Sequence, residues 1–357
     1  MKSFVDLDNT LNGQPPRLGV LLARVDRGQG REDLYRDQLP QLLSSLSEET
    51  RIASIEASNA IEGIDVDPER AVQISRDGAL RFRNRNEREF AGYRDAIDGL
   101  MRASSHEPPT IPFVLHLHRQ LLRHTDQGGG RLKQDQNLIV SNQSGRREVI
   151  FSPPSPKEAE FFLSELMARY NEAAGRETAH PLILLGALLL DFLAIHPVAD
   201  GNGRLSRLLM TNELARERYG IARYVSIEQR IFETKSSYYA SIYESQQGWH
   251  ECSHSIWPWV EYLVGTLAGA YDDFERRVAA AQATPTSKQQ RVEQWVREEA
   301  APVFRIRDIR RALPGISDQT IRIVLNRLRQ DGLVKPDATG RGATWSRTAA
   351  PVRRSRP

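Results

Sequence analysis

Cysteine is almost absent. Cys252 stands alone among 357 residues, so no disulfide can form within the chain and a reducing, cytoplasmic setting is expected. Long apolar runs are missing as well. The most apolar stretch, Leu182 to Ile195, is too short to span a bilayer and carries Asp191; it predicts a buried core helix rather than a membrane span. The opening residues do not read as a basic-then-apolar leader, and no internal repeat or low-complexity segment is found. The formal net charge is only +3, too little to name a partner by itself.

The remaining composition, 39% apolar and 27% charged, is that of a soluble globular protein long enough for two or three domains. Charge is unevenly placed. From Thr286 to Pro357 there are 16 Lys plus Arg against 7 Asp plus Glu, a balance of +9, and the rest of the chain balances at −6. A basic C-terminal part on a mildly acidic body suggests two functions, one of them meeting a polyanion.

The first forty residues, with Pro15-Pro16 and Gly28-Gln29-Gly30, read as loop-rich. Apolar spacing predicts helices over Gln41–Glu62, closed by Gly63, and over Asn86–Arg102 and Ile111–His124. Between Gly128 and Pro156, Leu138, Val140, Val149 and Phe151 flank a polar turn and predict a β-hairpin. Helices are expected again over Lys157–Ala173 and from Pro181 to about Tyr271. The domain boundaries follow: a helical region over 1–105, a core over 106–278 with the hairpin at 137–152, a linker at 279–287, a small domain over 288–348 and a basic tail at 349–357. Within 288–348 three short helices precede a two-stranded wing, the layout of a winged helix-turn-helix.

Residues 196 to 207, His-Pro-Val-Ala-Asp-Gly-Asn-Gly-Arg-Leu-Ser-Arg, carry the densest chemistry. They join two apolar helical segments, so Gly201 to Gly203 fall at the start of the second helix. Exposed amides and a favourable dipole make such a start an anion site. Arg204 and Arg207, one turn apart, add two guanidinium forks suited to phosphate. His196 is the natural base for activating a hydroxyl near neutral pH. Other clusters read as structural: Gly128-Gly129-Gly130 and Gly28-x-Gly30 as turns, His116 and His118 on different helix faces, and His250 with His254 beside Trp249, Trp257 and Trp259 rather than as a zinc pair.

The loop resembles the signature of Fic-domain proteins, His-Pro-Phe-x-Asp/Glu-Gly-Asn-Gly-Arg-x-x-Arg, departing only at Val198, where the family usually has Phe. Ser58 to Gly63 resembles the family's inhibitory helix motif, the hairpin falls where the family has its flap, and Tyr238-Tyr239 matches a tyrosine pair bordering the nucleotide base. The resemblance implies a mainly α fold with a β-hairpin flap, and an enzyme that transfers AMP from ATP to a Ser, Thr or Tyr hydroxyl of a target protein. It implies His196 as base and Asp200 as a Mg²⁺ ligand. Gly201, Asn202, Gly203, Arg204, Leu205, Ser206 and Arg207 would line the phosphates, with Tyr238, Tyr239 and Gln246 on the base side. Ile139, Val140, Ser141 and Asn142 would dock the target, and Ser58 with Glu62 would inhibit by pairing Glu62 with Arg207. Removal of AMP by the same site, transfer of UMP, phosphocholine or phosphoryl instead, a nucleotide-sensing regulator, DNA contact through Arg322, Arg327, Arg329 and Arg341, and a homodimer all remain open.

Overall fold

A computed structural model of the protein describes residues 1–76, 81–143, 146–177, 179–283, 288–337 and 343–348. The chain divides into two compact units, Met1–Arg277 and Val278–Pro357. The fold is mainly α, as the sequence predicts.

The first unit opens with a 3-10 turn at Lys2–Phe4, followed by α1 (Leu7–Asn12), α2 (Pro16–Gln38), α3 (Pro40–Ile61), α4 (Pro68–Arg76), α5 (Arg85–Arg102) and α6 (Ile111–Leu121). The hairpin β1 (Ile139–Gln143) and β2 (Arg146–Phe151) comes next, then α7 (Pro156–Arg176), α8 (Pro181–Ile195) and α9 (Asn202–Arg216). After a 3-10 turn at Gly220–Arg223 come α10 (Ile227–Glu233), α11 (Lys235–Gln246) and α12 (Trp257–Ala283). The loop-rich reading of the first forty residues was wrong. Pro15-Pro16 starts a helix instead of breaking one, because proline at the first helical position gives up an amide that would be unpaired anyway. Gly28 and Gly30 lie inside α2. At Gly28 a Cβ would stand 2.4 Å from Cγ of Tyr271, so glycine there lets α12 approach α2.

The core is organised around α8, whose residues Leu182 to Ile195 are all buried. It packs against α7, α9 and α11. Asp191, fully buried within it, is satisfied by the Ser3 amide at 3.0 Å, the Ser3 hydroxyl at 2.8 Å and the Trp249 indole N–H at 2.7 Å. A polar residue in an apolar helix is thereby made an anchor for the N-terminal segment. α3 packs on α5, α9 and α10, and Gly63 at φ +77° turns the chain off its end. Among the described residues no helix is long and apolar enough to cross a membrane.

In the second unit, α13 (Lys288–Gln294) and a π turn (Trp295–Glu299) precede β3 (Val303–Arg305), α14 (Ile306–Ala312), α15 (Asp318–Gln330), β4 (Val334–Pro336) and β5 (Thr344–Arg347). The antiparallel sheet has three strands in the order β3-β5-β4, where two were expected; the extra strand is too short to show a sequence period. Residues 279–283, read as linker, continue α12, as their alanine content favours. The rest of that linker, residues 338–342 with the DNA-contact candidate Arg341, and the tail at 349–357 lie outside the described residues.

Candidate active site

The site begins where α8 stops. His196 caps the helix in the left-handed region, φ +51°, an uncommon conformation for a residue with a side chain and one that marks functional turns. Pro197 then directs the chain away. Lys133, just ahead of the hairpin, donates its amide to the Pro197 carbonyl at 2.9 Å and its ammonium to the Ile195 carbonyl at 3.2 Å. Asn137 donates to the carbonyls of His196 and Val198, at 3.3 and 3.0 Å. Val198 is fully buried and fills the position where the resemblance has Phe. Asn202 turns its side chain inward, accepting from the Val198 amide at 3.1 Å and donating to the Val198 carbonyl at 2.7 Å. Only its backbone N–H therefore remains to face an anion. Gly201, at φ +86°, is the N-cap of α9, and a Cβ there would stand 2.8 Å from Leu121.

The half-buried His196 ring holds Nδ1 3.1 Å from the Leu193 carbonyl. A carbonyl only accepts, so Nδ1 carries the proton and Nε2 is left as the free acceptor. Burial keeps this imidazole below its ordinary value; the Lys133 ammonium pushes the same way, against the Leu193 carbonyl, Glu62 and Asp200. The ring is thus neutral at physiological pH.

Both arginines of the loop are buried. Arg207 donates Nε to the Ser58 hydroxyl at 2.8 Å and Nη2 to the Ser58 carbonyl at 2.9 Å, and pairs with Glu62 Oε1 at 2.9 Å. The Glu62 carboxylate also lies directly over the start of α9: a Cβ on Gly203 would fall 2.2 Å from its Oε1. Arg204 pairs with Glu89 at 2.8 Å and approaches Asp200 at 3.9 Å. Asp200 accepts from Arg85 at 3.0 Å, and Arg85 also pairs with Glu89. Arg204 Nε and Nη1 and Arg207 Nη1 are buried with no hydrogen-bond partner. Orphaned cationic N–H groups beside a helix N-terminus fit an incoming anion, since each is costly to leave unsatisfied. The half-exposed Asp200 carboxylate fits a hard cation that takes its other ligands from water and phosphate. Among the described residues no cluster of three or more such side chains could hold a metal alone.

The remaining sequence-predicted residues divide. Leu205 and Ser206 are buried within α9. Tyr238 is buried, with its ring centroid 5.1 Å from Tyr239 and 5.6 Å from Trp259; burial raises its hydroxyl and Arg207 opposes. Tyr239 is 45% exposed and donates to the Ile61 carbonyl at 3.4 Å, at the end of α3. Gln246 is buried with Nε2 unpartnered. In the hairpin, Ile139 stands opposite Phe151 and Val140 opposite Val149. Ser141 and Asn142 pair through their backbones with Glu148 and Arg147, while their side chains lie outside the described residues. His250 sits in a turn and His254 in the irregular segment before α12, neither of them on a helix. His250 stacks on Phe151 at 5.3 Å and bonds the Ser152 carbonyl, bracing the hairpin base, and His254 bonds Ser3. Glu89 and Arg85 were missed in the sequence. Neither carries a local signal, for both look like ordinary charges on an amphipathic helix. A cavity of about 560 Å³ between α5 and α6 is lined by His106, His116 and Asn212 and includes no residue of the 196–207 loop.

Residues 108–214 match the Fic/DOC family. That segment is a Fic domain. The chain is 34% identical over 114 residues to the protein adenylyltransferase Fic of Drosophila sechellia, and 32% identical over 114 residues to that of Drosophila virilis. The match takes 31% of this chain and spans about a fifth of the length of those relatives. The fold is similar to a Fic family protein from Desulfovibrio desulfuricans G20, with TM-score 0.61 and 21% identity over 95% of this chain and 98% of that one. A Fic domain containing signaling protein from Bacteroides thetaiotaomicron VPI-5482 gives TM-score 0.58 and 21% identity over 76% of this chain and 99% of that one.

Proposed function

We propose that the protein is an ATP-dependent adenylyltransferase that modifies a hydroxyl of a target protein and is restrained by Glu62. The observation that carries this reading is the Glu62 carboxylate lying over Gly203 and paired with Arg207. An anion already occupies the helix N-terminus where a phosphate would be favoured. The orphaned N–H groups of Arg204 and Arg207 leave capacity for further phosphate oxygens.

In this reading the hydroxyl oxygen of the target attacks the α-phosphorus of ATP. His196 Nε2 takes the hydroxyl proton, the bond to the β-phosphate oxygen breaks, and pyrophosphate leaves. The Gly203 and Asn202 amides with Arg204 hold the charge that builds on the leaving group. Asp200 would hold Mg²⁺, which supplies charge neutralisation on the phosphates when bound. Glu62 competes for Arg207 with the terminal phosphate, so nucleotide meets a site that is not fully open. The edge of β1 would take an extended target segment by strand addition, Tyr239 and Gln246 would border the base, and the domains read at 1–105 and 106–278 would carry the restraint and the chemistry respectively.

Glu62→Gly should raise incorporation of label from α-labelled ATP into protein at least tenfold, and His196→Ala added to it should abolish the gain. Running the same assay with labelled CTP, GTP and UTP identifies the donor. Unchanged labelling in Glu62→Gly would refute the restraint, and label transferred only from another nucleotide would refute AMP as the group moved.

A further inference from the structure

The C-terminal unit carries its own chemistry, and it is not that of the Fic domain. α15 buries Ile321, Val324, Leu325 and Leu328 in a core with Val292, Val296, Phe304, Ile309 and Trp345. With that side fixed, Gln319, Arg322, Ile323, Asn326, Arg329 and Gln330 are all exposed. At about 100° per residue these six fall within about a third of the helix circumference. Their composition is unusual for a merely solvated face. It has two guanidinium groups, three carboxamides and one branched apolar side chain, and no carboxylate.

The neighbouring charges sharpen the point. Arg327 is tied to Glu293, which Arg297 also contacts, and Arg310 is tied to Asp318 at 3.0 Å. Among the described residues Arg322, Arg329 and Arg311 have no such partner. The unit thus neutralises the arginines at the margins of α15 and leaves those in the stripe uncompensated. A second, independent observation is the helix-turn-helix made by α14 and α15, joined through Ser317, whose side chain accepts from the Thr320 amide and caps α15.

We infer that α15 reads duplex DNA in the major groove. An α-helix fits that groove, and the side chains match its edges: arginine pairs with guanine O6 and N7, asparagine or glutamine with adenine N6 and N7, and an aliphatic group with the thymine methyl. The +9 balance from Thr286 to Pro357 supplies the phosphate attraction that positions the helix. A docked protein would call for apolar anchors, and the stripe offers only Ile323, 50% exposed.

The test uses the full-length chain and a random-sequence pool of 30-bp duplexes, enriched over rounds of binding and then measured by fluorescence anisotropy from 50 to 200 mM KCl. The enriched duplex should bind at least a hundredfold tighter than its scrambled version. Arg322→Ala and Arg329→Ala should each weaken the enriched duplex by about tenfold or more while moving the scrambled one far less. Incorporation of AMP label should be unaffected by either substitution, so failure here and failure of the transferase reading are distinguishable. An unchanged melting temperature shows that the variants fold. No duplex binding at 50 mM KCl, equal affinity for enriched and scrambled duplexes, or wild-type affinity in the double variant would each overturn the inference.

Discussion

His196 shows how a single residue's environment fixes its chemistry. The Leu193 carbonyl at 3.1 Å selects the tautomer, and burial keeps the ring uncharged. The proposed transfer needs the neutral ring, and its value lies below the ordinary 6.5. In Glu62→Gly, kcat/KM should therefore climb with pH to a plateau, with the midpoint of the rise below pH 6.5. A midpoint above 6.5 would mean that another group accepts the proton. Glu89 makes a second point at this scale. It is the counter-charge to a guanidinium that is itself buried, with side-chain exposures of 5% and 2%. Removing one member of such a pair strands the other charge, so Glu89→Ala should lower stability by about 3 kcal/mol in a denaturant titration. If the midpoint does not move, Arg204 is discharged by Asp200 instead.

Among the elements, α2 departs furthest from what local sequence suggests. Two glycines in α2 look alike in the sequence and differ completely in place. Gly28 faces Tyr271 at a distance a Cβ would violate, and nothing lies within 4 Å of a Cβ at Gly30. Gly28→Ala should lower the melting temperature, since overpacking costs about 1–3 kcal/mol and outweighs alanine's helical advantage of about 1 kcal/mol. Gly30→Ala should raise it by that advantage. The same sign for both would show that α2 and α12 separate readily. α3 behaves differently: its spacing predicted a helix, but only its packing against α9 brings Ser58 and Glu62 to Arg207. The β-hairpin was legible because its apolar residues alternate about a polar turn. β3 was not, because a strand of three residues has no readable period.

For the molecule as a whole, several buried titratable groups set its response to pH. His118 and His254 are each pushed down to about 4 by burial, and Glu32 is pushed up to about 7, chiefly by burial and against hydrogen bonds from Tyr271 and Arg36. The signs differ. The histidines lose stability as pH falls from the ordinary 6.5 toward 4, because the unfolded chain binds protons that the folded one refuses. Glu32 keeps its proton in the folded state, so its contribution is complete below 4.5 and declines as pH rises to about 7. The difference in melting temperature between Glu32→Gln and wild type should accordingly grow in favour of the variant from pH 5 to pH 8. A flat difference across that range would mean that the carboxyl is ionised throughout.

Local sequence determined the helices with a clear apolar period, the caps that start and stop them, and the loop from His196 to Arg207, because spacing along the chain is enough to set a turn, a face and a set of functional groups. The charges that govern the loop were decided elsewhere. Glu62 lies 145 positions from Arg207 and Arg85 lies 115 positions from Asp200. Nothing in the residues around Glu89 marks it as the partner of Arg204. An ion pair gains its strength from burial, and burial is a property of how α3, α5 and α9 pack together rather than of any one of them. The functional groups of the loop are written in consecutive residues, and the Glu62–Arg207 pair proposed to restrain it exists only once distant helices enclose it.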